Sequence, residues 1–120
     1  MSLMESKQSH LEKYYHNKDF LDNGIKDGAK YPDWEITVIF YCGVHIVEAM
    51  LAEKNIHVID HQDRKDEMEN INNIDDFRDE YSHLYQLSRK ARYKCFLPKQ
   101  KDVYDAQVDL DAIKSAAGIK

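Results

Sequence analysis

Residues 34–51 read WEITVIFYCGVHIVEAML, and their reading decides the fold. Trp34, Val38 and Tyr41 fall in one row of a helix, while Ile36, Ile39, Phe40, Gly43, Val47, Met50 and Leu51 occupy the other sides. A helix that is apolar on nearly its whole circumference has to be surrounded by other elements. The segment over about residues 33–54 is therefore the expected central helix of a bundle. His45 and Glu48 interrupt the apolar run, which argues against a membrane span.

Upstream, Ser9 and Glu12 stand at capping-box spacing, and Met4, Leu11, Tyr14, Tyr15, Leu21 and Ile25 suit one face of a first helix ending near Gly24 or Gly28. The loop DGAKYPD separates it from the central helix. Downstream, NIHVID breaks the pattern, and residues 61–72 predict a short polar helix anchored by Met68 and Ile71. Asn73 or Asp75 can cap a fourth helix whose stripe is Phe77, Tyr81, Leu84, Ala91 and Cys95, and Pro98 ends it. Val103, Ala106, Leu110, Ile113 and Ala117 step by three and four along a last helix. The expectation is one domain over residues 1–120, an all-α, four- to five-helix up-and-down bundle.

Composition agrees. Four glycines and two prolines leave little turn chemistry for an all-β fold, and 42% hydrophobic beside 32% charged residues is ordinary for a globular chain that buries its own core. Cys42 and Cys95 lie in apolar helical patterns without metal-ligand spacing, so packed, reduced thiols and a cytoplasmic location are expected. The N-terminus lacks a signal-peptide layout, and its Met-Ser-Leu is compatible with a cloning remnant.

Charge is where a function first shows. The chain carries a net charge of −5, yet residues 86–101, QLSRKARYKCFLPKQK, hold six lysines and arginines, two aromatic rings and no carboxylate. Arg78, Tyr85, Arg89, Arg92 and Phe96 share one face of a 3.6-residue helix. Guanidiniums grip phosphate bidentately and rings stack on bases, so this face suits a nucleotide or RNA. The competing reading has Asp102, Asp105, Asp109 and Asp111 neutralising the cluster across a helix pair. Overlapping it, Arg78 precedes His83 with four residues between, and Tyr85 follows. An arginine to hold a scissile phosphate and a histidine to move its proton would serve a ribonuclease that needs no metal. Five residues apart on a helix, the two diverge by roughly 140°, so a second subunit would have to complete the pair. Tyr41, His45 and Glu48 share a side of the central helix, with His61 and Arg64 one turn apart at the start of the third. Buried polar groups there need partners, and a satisfied core histidine is the plainer account of His45. No metal is expected: His45 and Glu48 offer two ligands, and no nearby Cys or His set completes a structural zinc site.

The order WEITVIFYCGVHIVEAML, then HQDR, then YSHLYQLSRKARY and a short final helix resembles HEPN domains, the small helical bundles of prokaryotic defence and toxin–antitoxin systems, from about residue 8 to residue 117. In many of them an arginine, a polar residue and a histidine followed by x-Tyr form a ribonuclease motif, which Arg78, Asp79, His83 and Tyr85 match. At the RYP-type ending Lys94 replaces the proline. The resemblance implies a homodimeric endoribonuclease with Arg78 and His83 catalytic. RNA or nucleotide contacts would come from Arg89, Arg92, Tyr93, Tyr85, His61 and Arg64. It also implies an antitoxin-like protein partner, no cofactor and no membrane. The alternative is a non-catalytic module that binds a nucleotide or an acidic partner.

Overall fold

In the computed structural model, which describes residues 5–25 and 30–120, the chain is an all-α bundle of five helices, with no strand among the described residues. Met1 to Leu3, Met4 and Gly28 fall outside that range, so the readings placed on them do too. Helix α1 spans Lys7–Asp19 and runs on into one π-helical turn, Phe20–Gly24; α2 spans Pro32–Glu53, α3 His61–Glu67, α4 Arg78–Tyr93 and α5 Gln100–Ala116. Two 3₁₀ turns, Met68–Asn70 and Ile74–Asp76, connect α3 to α4.

Each boundary has a local cause. Ser6, not Ser9, caps α1, its hydroxyl accepting from the Ser9 amide. Pro32 sits at the first turn of α2, where its missing N–H costs nothing. Asn55 ends that helix in the left-handed region (φ 59°), and the Ile56 amide returns to the Leu51 carbonyl. Asp60 caps α3 through the Asp63 amide. Neither Asn73 nor Asp75 caps α4; its N-cap position is Phe77, which makes no side-chain cap and is instead fully buried. Tertiary burial of the Phe77 ring sets that start. At the far end Gly118 (φ 74°) reverses the chain, and the Ile119 amide bonds the Lys114 carbonyl.

Helix α2 is central, with α1, α4 and α5 packed around it. Ile36, Ile39, Ile46, Val47 and Leu51 are sealed from solvent and meet Tyr14 of α1, Leu84 of α4, and Leu110 and Ile113 of α5. The closest approach is at Gly43, where an added Cβ would stand 3.3 Å from Ile113 Cδ1 and 3.4 Å from Leu84 Cδ2. By length and composition α2 could cross a membrane, but 61% of its most apolar window is buried inside the bundle. That apolarity is accounted for by the core.

Burial of α2 is nonetheless incomplete. Trp34 and Tyr41 are exposed, and Val38, His45 and Glu48 are half-buried. Stepping by four, three, four and three, these positions form one unsealed edge along an otherwise enclosed helix. The other departure is at the end of α4. The helix stops at Tyr93, so Phe96 and Cys95 lie beyond it, and Cys95 is exposed and not packed on the apolar stripe.

Candidate functional site

Tyr41 of the unsealed edge, with buried Phe40 and Val44 beside it, forms the α2 wall of a hollow of about 240 Å³ otherwise lined by His61, Arg64, Tyr85, Arg89, Arg92 and Tyr93. Three helices meet there. Helix α4 supplies Tyr85, Arg89, Arg92 and Tyr93 at helical spacing, and α3 brings His61 and Arg64 over from the other side. The His61 ring lies flat on Tyr85, with centroids 3.5 Å apart and planes 3° from parallel. All six residues expected to contact a nucleotide or RNA thus line one concavity.

The three arginines differ in how their charge is met. Arg64 donates from Nε and Nη2 to Oε1 of Glu48, at 3.1 and 3.0 Å, and from Nη1 to the Tyr81 hydroxyl. Its charge is compensated. Arg92 donates to the Tyr41 hydroxyl at 3.0 Å and to the Oγ and carbonyl of buried Ser88, and its guanidinium lies 5.1 to 5.6 Å from the ring centres of Tyr93, Phe40 and Tyr41. Arg89 donates to the Tyr85 hydroxyl at 3.2 Å and lies 5.7 Å from the Tyr93 ring centre. Hydroxyls and ring faces orient these two cations without cancelling them. Among the described residues neither forms an ion pair with a carboxylate.

The competing account, neutralisation by the aspartates of α5, is not realised at these arginines. Asp102 accepts from the Lys99 amide and caps α5, Asp111 accepts from Gln107, and Asp109 faces His83. Burial lowers the pKa of the His61 ring, and the charges of Arg64, Lys65 and Arg89 push it further the same way. Its Nδ1 is buried and has no hydrogen-bond partner among the described residues.

Arg78 and His83 are not brought together within one chain. Arg78 opens α4 and donates three hydrogen bonds to two carboxylates, from Nε and Nη2 to Glu69 and from Nη1 to Asp75. It borders a neighbouring hollow of about 180 Å³ that also touches His61 and Tyr85. His83 points to α5, where its Nδ1 meets Oδ2 of Asp109 at 2.5 Å. Asp109 is buried, and desolvation raises its carboxyl pKa against the opposing pull of His83. Phe96, beyond the helix, packs against the core and lies under Lys90, so it leaves the arginine face.

Tyr41 and Phe40 are functional candidates that the charge pattern did not associate with Arg92. The available signal for Tyr41 was its place in the row of α2 that also carries His45 and Glu48; Phe40 lies on a buried side of the helix. No family model matches the chain, and no curated protein matches it either.

Proposed function

We propose that the tyrosine- and arginine-lined hollow binds a phosphate-bearing ligand, a nucleotide or single-stranded RNA, in a HEPN-like binding module. The observation that carries this is the pair Arg89 and Arg92, two uncompensated guanidiniums fixed over one concavity of a net-acidic chain. A phosphate seated between them would be gripped by planar donors. The Tyr93 ring, 66% exposed, offers a stacking face for a base. Binding to a fluorescent RNA oligonucleotide should weaken steeply with salt, and Arg89→Ala or Arg92→Ala should lower affinity and make the salt slope shallower by about one unit or slightly less. Unchanged affinity in both variants, with helical content intact, would refute the reading.

One observation favours endoribonuclease activity as a second reading. Asp109 takes the Nδ1 of His83 and leaves the other ring nitrogen on a side chain that is 55% exposed, the arrangement that orients a histidine for proton transfer. Arg78 of a second copy would have to complete the site, which makes a homodimer part of this reading. Incubation with a mixed RNA pool in EDTA, beside His83→Ala, separates the two: cleavage abolished by the substitution supports turnover, and binding without cleavage leaves the module alone.

A further inference from the structure

We propose that His10, His45 and Glu48 form a binding site for a divalent first-row transition ion, zinc foremost, at the seam between α1 and α2. The two α2 residues stand at i and i+3 on the unsealed edge, and α1 brings His10 to them from 35 positions upstream. His10 Nδ1 lies 3.3 Å from His45 Nδ1 and 3.3 Å from Oε2 of Glu48, and all three ligand atoms fall within 4.8 Å of one another. Zinc–nitrogen and zinc–oxygen bonds of about 2.0–2.2 Å place tetrahedral ligand atoms about 3.3–3.6 Å apart, so two of the three edges already have the required length. The third edge, between His45 and Glu48, is no longer than 4.8 Å.

Hydrogen bonding alone serves this cluster poorly. The single hydrogen that His10 Nδ1 can carry cannot satisfy both the second imidazole nitrogen and the carboxylate oxygen. A cation at their centre would satisfy all three lone pairs. The carboxylate is also aimed: Arg64 holds Oε1 of Glu48 with two donors, which leaves Oε2 toward the histidines, the kind of outer contact that orients a ligating carboxylate. Side chains of His10 and Glu48 are 11% and 15% exposed, so the ligands are partly withdrawn from water but reachable. A hollow of about 310 Å³ lined by Glu5, His10, Glu48 and the segment Ile56 to Ile59 opens beside them and leaves a fourth position to water. The ligand set, two imidazoles and a carboxylate with one open place, is the borderline nitrogen and oxygen chemistry that zinc and its neighbours take. Arg64 and Lys13 are the nearby cations that oppose binding.

The test uses the untagged full chain after dialysis against EDTA. Titration with Co²⁺ should give the visible bands of a four-coordinate ion at one equivalent per chain. Zn²⁺ should displace it, and calorimetry at roughly tens of micromolar protein should return the same stoichiometry. His10→Ala and His45→Gln should each weaken Zn²⁺ at least tenfold, while His16→Ala, on the exposed side of α1, should not. Zinc should also raise the melting temperature of the parent chain, a readout that survives if His10→Ala loosens α1. Absence of cobalt bands and of a zinc-dependent melting shift in the parent would overturn the proposal. So would equal losses in His10→Ala and His16→Ala, leaving only an ion-pair chain of His10, Glu48 and Arg64.

Discussion

The guanidinium of Arg92 donates to the hydroxyl of Tyr41 across 51 positions of sequence, at 3.0 Å, and this bond joins α4 to the exposed edge of the central helix. The contact explains how a cation without a carboxylate stays in place. It also separates position from charge. Tyr41→Phe keeps the ring beneath the guanidinium and removes the acceptor, so it should cost no more than about 1 kcal/mol in denaturant unfolding. Its RNA affinity should fall less than that of Arg92→Ala, which removes the charge itself. A Tyr41→Phe loss equal to that of Arg92→Ala would mean that orientation, not charge, dominates.

Glu48 and Arg64 present the opposite case, an ion pair with side chains 15% and 12% exposed. Glu48→Gln leaves a guanidinium facing a neutral group in a largely desolvated place, and should destabilise the protein by about 3 kcal/mol. Replacing both partners with methionine should cost much less, because no charge is then stranded. Chemical denaturation of the single and double variants measures the difference.

Acidification should weaken the fold through His61. Burial and neighbouring cations hold its folded pKa below the ordinary value of 6.5. Above pH 6.5 the ring is neutral in both states and the fold keeps its full stability. As pH falls below 6.5 the unfolded chain takes up the proton first, and stability declines until the folded pKa is passed. His61→Phe preserves a ring against Tyr85 and removes the proton, so its melting temperature should fall less between pH 7.5 and 5.5. Parallel curves for parent and variant would contradict this.

At Gly43 the outcome turns on size. Gly43→Ala places a Cβ 3.3 Å from a terminal methyl of Ile113, a crowding that the helix propensity gain of about 1 kcal/mol can offset, so its stability should lie within about 1 kcal/mol of the parent. Gly43→Leu has no space between α4 and α5 and should cost about 3 kcal/mol. Differential scanning fluorimetry ranks the three chains.

The helical core was legible because its cause is local. The apolar circumference of residues 34–51 requires enclosure, and Tyr81, Leu84, Leu110 and Ile113 repeat at helical spacing. Five of the six expected residues that line the hollow could be grouped for the same reason: Tyr85, Arg89 and Arg92 share a face of one helix, and His61 and Arg64 open another. What sequence spacing did not carry was pairing between distant segments. Nothing near Arg78 announces that Glu69, nine positions upstream, binds it, nor does anything near His83 point to Asp109. His10 likewise has no local motif linking it to His45. The start of α4 was misjudged because a buried ring, Phe77, overrode the polar caps on offer.

The two cysteines occupy opposite extremes, and this difference makes the chain readily addressable. Cys42 is sealed in the core with its thiol pKa pushed up to about 12 by burial, while Cys95 is exposed two positions after Tyr93. A maleimide dye should therefore couple at Cys95 alone in the native protein, beside the rim of the arginine hollow. The natural sequence already carries a single reporting position there, and fluorescence from it would follow ligand occupancy with no engineered cysteine.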